Sequence, residues 1–427
     1  MSLAAKLPYD HAYAGGYPGI GSQPLPTDAD ALDYLARVKA ADGAGVEVGV
    51  ATAVSAFVAD SKALGVWDSI RASCVLAGAR TLAGALVPLR DYGPELVDIN
   101  SLESPSINNL GGSAGYWDAA SRTAYSTATG AAGYPYFVFP VSVVVGKTYR
   151  FSGVLSGDFA DINLFRFGNL NVTIAEDGSF DASLVANFAD FKIYFESSLG
   201  PQAVTIDSLS IREVIAAPTN VADGFVEGDY SRTAGLTGDG TSYLDSGRAG
   251  DADPQNDAHF SVFCTVLPTS ASMNYIGRLV LGGASAYSQT TADLQSFTTI
   301  NDNTTASTLA APSANSLIGA SRDSSSNFVH ISGDATEVKA STSQSQTGAN
   351  NFHVFRRNYA ASPQYSDATL AFYSIGTSLS LADLDTAVTN LINRLKFALL
   401  VGENPSGLDP DTIDYIVRGY EAGGSLE

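Results

Sequence analysis

GDYSRTAGLTGDGTSYLDSG, residues Gly228–Gly247, decides how the rest of the chain is read. Glycines fall where turns belong, and Tyr, Thr and Leu stand between them. The pattern is turn, strand, turn, strand, with glycines serving tight turns and left-handed backbone rather than phosphates. The stretch carries no histidine, no facing pair of carboxylates and no phosphate loop. It reads as the first hairpin of a β-sandwich.

The same habit continues on both sides. Residues 98–217 hold short strand-forming runs (YFVFPVSVVV, TYRFSGVL, INLFRF, NVTIAEDG, FKIYFES, VTIDSLSIREV) separated by turns at Gly146, Gly157-Asp158, Asp177-Gly178 and Gly200-Pro201. That spacing predicts an antiparallel sandwich. Residues 218–378 repeat it, with HFSVFCTVL as one strand and NFVHISGDATEV and NNFHVFRRN as two more around the polar TSQSQTGAN.

Helices flank the strands. Thr27 or Asp28 caps a helix through ALDYLARVKAA that Asp42-Gly43 ends. A second covers VATAVSAFVADSKAL, with Val50, Val54, Phe57, Val58 and Leu64 as its apolar stripe and Gly65 as its stop. WDSIRASCVLAG reads as a short third helix. Near the C-terminus, Ser380 caps a helix to Phe397, Asp383 completes its capping box, and a last piece spans Asp411 to Gly419. The fold class is therefore mainly β: two antiparallel, jelly-roll type β-sandwiches with an N-terminal helical leader and C-terminal helices. The expected divisions are an extended arm over 1–26, the helical leader over 27–97, an inserted sandwich over 98–217, a jelly roll with its helix over 218–400 and a helical tail over 401–427.

The 427 residues include 23 Lys and Arg against 44 Asp and Glu, a formal charge of -21. A chain this acidic is a poor partner for nucleic-acid phosphates or anionic lipid, so neither is expected to bind. Cys74 and Cys264 each sit in an apolar run and read as buried free thiols. The opening MSLAAKLPYDHAYAGGYPGIGSQPLP is broken by Pro, Asp and Gly and reads as an extended arm rather than a signal peptide.

ADSKALGVWDSIRASCVLAGARTLAGALVPL resembles a leader of virion proteins of tailed bacteriophages and prophages, in which a concanavalin A/laminin-G-like jelly roll follows. APTNVADGFVEGDYSRTAGLTGDGTSYLDSGRAGDADPQNDAHFSVFCT is similar to the opening of that jelly roll, and FYSIGTSLSLADLDTAVTNLINRLKFAL to its closing strand and helix. The resemblance covers about residues 25–95 and 218–400. Residues 98–217 depart from it as an insertion that looks like a carbohydrate-binding module.

Few residues invite chemistry. GGSAG at 111–115 matches a nucleophile motif but lacks the strand before and helix after that a nucleophile elbow needs. Glucanases of concanavalin-like fold carry E-x-D-x-x-E; here Glu227-Gly228-Asp229 begins it, but Arg232 replaces the second glutamate, so no acid/base pair forms. His11, His259, His330 and His353 show no metal-ligand spacing. Asp251, Asp253, Asn256 and Asp257 crowd oxygen donors into one turn, a weak Ca²⁺ candidate against the alternative of an Asx-rich solvated turn. Tyr116, Trp117, Tyr134 and Tyr136 lie beside Gly and Pro at the start of the inserted module and are the glycan-binding candidates, with core packing as the alternative for some of them.

The resemblance implies a non-enzymatic virion protein on the particle exterior, in a tail, fibre or adhesin, whose lectin-like modules contact host surface polysaccharide. Its other partners would be virion proteins held by the N-terminal arm. The alternatives are a capsid, collar or neck decoration protein anchored by that arm, and a glycan-degrading enzyme. No heptad run specifies an oligomer, and homo-oligomers stay open.

Overall fold

The computed structural model describes residues 28–403 apart from short loop stretches, the longest being 110–113, 128–134, 196–200, 280–284, 346–349 and 360–363. The N-terminal arm and the piece expected over Asp411 to Gly419 lie outside the described residues. The chain forms two compact units: one from the chain up to Arg90 and from Ala216 onward, the other from Asp91–Ile215.

The split unit is built on two sheets. In the first, the strands run Tyr230–Ser231, Gly235–Thr237, Thr369–Gly376, Ala258–Val266, Ser316–Arg322, Asn327–Ser332, Ala335–Ala340, and Ile70–Val75 also pairs with Thr369–Gly376. The second runs Thr219–Val221, Tyr243–Ala249, Asn351–Val354, Asn274–Arg278, Ser285–Thr290, Ser296–Asp302, Ser307–Leu309, with Arg357–Asn358 alongside Asn274–Arg278. Phe260, Val262, Cys264 and Ile318 pack toward the second sheet. Phe263, Leu317 and Phe372 pack on the opposite side, under the helices. The centre of the first sheet is thus buried on both faces, and all eight residues of Thr369–Gly376 are buried, whereas its edge strand Ala335–Ala340 is partly exposed.

The cover consists of α1 (Ala29–Asp42), α2 (Val48–Ala63) and, after the four-residue turn α3 (Leu82–Ala85), α4 (Leu381–Glu403). Asp28 caps α1 by accepting from the Asp30 and Ala31 N–H groups, and Gly43 ends it in the left-handed region at φ 73°. In α2 the stripe Val50, Val54, Phe57 and Val58 is buried, whereas Leu64, expected on that stripe, lies past the helix end and is exposed. Leu384, Val388, Leu391, Ile392 and Leu395 of α4 are buried with them. Each such side chain contributes roughly 1.5–3 kcal/mol on leaving water. Phe57 meets Phe372 edge to face at 5.9 Å, which ties α2 to the sheet below.

Three expectations are corrected here. WDSIRASCVLAG is not a helix: Trp67–Ser69 is one 3₁₀ turn, and Ile70–Val75 is a strand antiparallel to Thr369–Gly376. A run buried on both faces needs no helical period, so its apolar content misleads. The opening stretch is not a single hairpin either. Tyr230–Ser231 and Gly235–Thr237 do pair, but Tyr243–Ala249 belongs to the other sheet, so Gly238–Ser242 carries the chain across the sandwich. Gly235 is required there: φ is 110°, and a Cβ would stand 2.2 Å from the Leu370 carbonyl oxygen. NFVHISGDATEV likewise holds two strands, Asn327–Ser332 and Ala335–Ala340, around Gly333.

The Asp91–Ile215 unit is a sandwich of two five-stranded antiparallel sheets. One runs Ser106–Asn109, Pro135–Pro140, Asp190–Phe195, Ile162–Phe167, Leu170–Asn171. The other runs Gly115–Asp118, Thr123–Ser126, Gln202–Glu213, Thr148–Gly157, Ser179–Val185. Phenylalanines fill the interior, with Phe139 stacked on Phe191 at 4.4 Å and Phe151 against Phe165, Phe167 and Phe180. Of NVTIAEDG only Asn171 lies in a strand, and the rest turns back.

Both cysteines are free and buried, and burial pushes each thiol up to about 12, so neither is a nucleophile at neutral pH. Burial also pushes His259, His330 and His353 from 6.5 down to about 4. All three belong to the split unit, and Asp91–Ile215 contains no histidine. The folded state holds them neutral while the unfolded chain protonates them below about 6.5, so unfolding takes up protons and stability falls as pH drops from about 6.5 to about 4. Each unit has one tryptophan, Trp67 and Trp117. In melts of the full chain, fluorescence from Trp67 in a W117F background should move to lower temperature across that pH window. Trp117 in a W67F background should hold its midpoint, and equal shifts in both would contradict the assignment. A second expectation concerns Arg278, which is fully buried with all three guanidinium nitrogens lacking an acceptor. Arg278→Met should raise the denaturant midpoint, by about 1–3 kcal/mol of stability, because an unpaired buried charge costs more than a thioether. A lowered midpoint would show that the guanidinium has a partner.

Candidate functional site

The period of two sorts the three aromatic candidates that the structure describes. Tyr116 and Trp117 are neighbours on Gly115–Asp118, so their side chains leave opposite faces of the sheet. Trp117 turns inward and meets Phe139 edge to face at 5.0 Å. It belongs to the core and is not available to a ligand. Tyr116 points outward, 51% exposed, and stacks on Tyr125 of the next strand at 4.4 Å. Tyr136 lies outward on the other sheet, so the structure does not bring it together with Tyr116. Tyr134 lies outside the described residues.

Tyr136 has the richer surroundings. On Pro135–Pro140, Phe137 and Phe139 are buried while Tyr136 and Val138 are half-buried on the outer face. On Asp190–Phe195 the same alternation sends Phe191, Ile193 and Phe195 inward and Lys192 and Tyr194 outward. Register then sets Asn108, Tyr136, Tyr194 and Leu164 in one cross-strand row. The adjacent row is Ser106, Val138, Lys192, Arg166 and Asn171. The Tyr136 and Tyr194 rings stack at 4.8 Å and 14°. The Arg166 guanidinium lies 5.3 Å from the Tyr194 ring, and its Nε donates to Asn171 Oδ1 at 2.9 Å. Lys192 reaches Asp190 at 3.3 Å and the exposed Phe188 ring at 5.5 Å. The outcome is a sheet face with two parallel rings at its centre and amide and cationic donors around them. Such a face offers apolar contact to sugar C–H groups and hydrogen bonds to their hydroxyls. Tyr194 and Arg166 were not candidates from sequence. The alternation in FKIYFES places Tyr194 on the outer face, but only the register shows that it meets Tyr136.

The Ca²⁺ candidates do not converge. Asp253 forms a buried ion pair with Arg248, at 2.5 and 2.8 Å. Asp257 accepts from the Ser378 N–H and hydroxyl, both at 2.7 Å. Asn256 Oδ1 accepts from Ser343 at 2.5 Å, and Asp251 is exposed. Among the described residues no group of three or more His, Cys, Asp or Glu is placed to hold a metal. The interrupted glucanase motif serves structure: Glu227–Asp229 is a 3₁₀ turn, Glu227 accepts from the Leu82 N–H at 3.0 Å, and Arg232 pairs with Glu47 at 2.6 Å. Ser113 of GGSAG lies outside the described residues, and Gly115 opens a strand where a nucleophile elbow needs a helix.

No protein-family model matches the chain, and no curated protein matches it. Among solved structures it is similar to domains LG4-5 of the mouse laminin alpha1 chain, at 9% identity and a TM-score of 0.26, over 58% of this chain and 88% of that one. It is similar to the CBM22-1-CBM22-2 tandem domain of Paenibacillus barcinonensis Xyn10C, at 12% identity and a TM-score of 0.22, over 67% of this chain and 99% of that one. A third likeness is to a bifunctional GH43-CE protein of Bacteroides eggerthii, at 11% identity and a TM-score of 0.25, over 67% of this chain and 42% of that one. With TM-scores this low, the likenesses bear on neither the fold nor the activity, and the fold stands on its sheet topology.

Proposed function

We propose that this is a non-enzymatic glycan-binding protein, and that the outer face bearing Tyr136 and Tyr194 is where it takes saccharide. The observation that carries this reading is the stacked tyrosine pair, half-exposed at the centre of a regular antiparallel face with Asn108 on one side and Arg166 on the other. Two rings in one row fix the position of a sugar without closing around it, which suits contact with a polymer. The placement on a phage or prophage particle exterior, in a tail, fibre or adhesin, rests on the resemblance of residues 25–95 and 218–400 to virion proteins. The ligand class that fits both halves of the proposal is a host surface polysaccharide.

The experiment is calorimetric titration of the full chain with a panel of bacterial surface polysaccharides. Tyr136→Ala and Tyr194→Ala should each weaken binding about tenfold, the loss of about 1.4 kcal/mol expected of one aromatic contact. Tyr116→Ala, on the opposite sheet, should leave affinity unchanged. Wild-type affinity in Tyr136→Ala, with the melting temperature retained, would remove the face from consideration.

A further inference from the structure

The split unit has an outward sheet face of its own, independent of the Tyr136 face. It is the side of the second sheet turned away from the first. Tyr243 and Asp245 of Tyr243–Ala249 alternate with buried neighbours there, and His353 of Asn351–Val354 lies buried beneath Tyr243. Tyr243 stacks on His353 at 4.5 Å. Tyr243 and Tyr365 meet at 6.3 Å, and the Arg356 guanidinium lies against both rings, 4.6 Å from Tyr243 and 5.1 Å from Tyr365. The next residue, Arg357, lies 4.8 Å from Tyr287 and 5.7 Å from Tyr359.

Register explains how Arg357 reaches its ring. Arg357, Gly277 and Tyr287 stand in one cross-strand row with the glycine in the middle. A Cβ at position 277 would meet the Tyr287 Cβ at 2.2 Å. The bare glycine lets the guanidinium cross the middle strand and lie on the tyrosine.

Charge is the second observation. In a chain with 44 acidic and 23 basic residues, a surface arginine usually finds a carboxylate. Among the described residues, neither Arg356 nor Arg357 is paired with one, and the Nε of each is covered and without an acceptor. The carboxylate of this face, Asp245, already accepts from the Gly247 N–H at 2.9 Å and Asn351 at 3.0 Å. Burial keeps His353 neutral at pH 7, so the face carries two guanidiniums and one committed carboxylate. Arg356 Nη1 donates to Tyr365 Oη at 3.3 Å. The terminal N–H groups of a guanidinium form the planar fork that receives a carboxylate.

We propose that this face is a second binding site and that its ligand is an acidic saccharide, whose carboxylates meet Arg356 and Arg357 while its sugar faces lie on Tyr243, Tyr365 and Tyr287. The test is titration of the full chain with tetragalacturonate and with its methyl ester, which keeps the sugar rings and replaces each charged carboxylate by a neutral ester. The acid should bind and the ester should bind at least tenfold more weakly. Arg356→Gln and Arg357→Gln should each weaken acid binding about tenfold. Arg357→Lys, which keeps the charge and loses the fork, should weaken it by less than Arg357→Gln. Tyr136→Ala should leave it unchanged, which separates this site from the one proposed above. Equal binding of acid and ester, or wild-type affinity in both Gln variants, would overturn the proposal. So would a dimer in light scattering that Arg356→Gln dissociates, since the face would then be an interface between copies.

Discussion

The antiparallel pairing of Ile70–Val75 with Thr369–Gly376 is the constraint on which the split unit depends. It joins residues about 300 positions apart, as Cys74 Sγ and Tyr373 Oη at 3.5 Å illustrate. Thr369–Gly376 also pairs with Ala258–Val266, so it is a central strand with no solvent-facing residue. A strand in that position stabilises the unit only if both faces of its sheet are covered. One cover is the second sheet. The other has to come from helices, and both chain segments that flank the sandwich supply them. The N-terminal segment is therefore part of the unit's core. The chain can leave at Arg90 and return at Ala216 because the pairing is already made on either side of the insertion.

Helices were the most legible feature in the sequence because their signals are local. Asp28, Gly43, Gly65 and Ser380 act where their chemistry says they should. Strands were legible where apolar and polar residues alternate, as in FKIYFES. They were illegible in two situations. A run such as IRASCV, apolar on both faces, has no period to separate strand from helix. Strands such as Ser285–Thr290, Ser296–Asp302 and Ser307–Leu309 bury Ser and Thr, which read as loop. Those hydroxyls are tolerated inside because they have partners: Thr298 donates to Ser288 at 2.9 Å, and neutral His330 donates from Nδ1 to Ser307 at 2.8 Å, whose hydroxyl is given to Glu337, and accepts from Ser296 on Nε2 at 3.0 Å. Such partnerships join residues far apart in sequence and cannot be seen in a window of ten.

The candidate site divides along the same line. Tyr136 was legible as an aromatic among Gly and Pro. Trp117 looked equivalent, yet one residue's difference in strand phase sends Tyr116 out and Trp117 in. Tyr194, Arg166, Arg356 and Arg357 acquire meaning only through register, since their partners lie on other strands.

The two units use different chemistry inside. Asp91–Ile215 is packed with phenylalanine, and Thr123, Ser126 and Gln202 are the few polar side chains among its described residues that are buried. The split unit buries three histidines, the Arg248–Asp253 ion pair, and Arg322, which donates to the Ile300 and Ser341 carbonyl oxygens at 3.0 and 3.1 Å. An interior of the first kind tolerates slippage among similar rings, because dispersion is indifferent to direction. An interior of the second kind does not, because each displaced donor loses a specific acceptor at a cost of about 1–3 kcal/mol. The outer row of Arg357, Gly277 and Tyr287 needs such a fixed register, since a one-residue slip of any one of its three strands would turn that strand's member of the row to the other face. The directional interior of the split unit is what holds its outer aromatic and guanidinium row in phase.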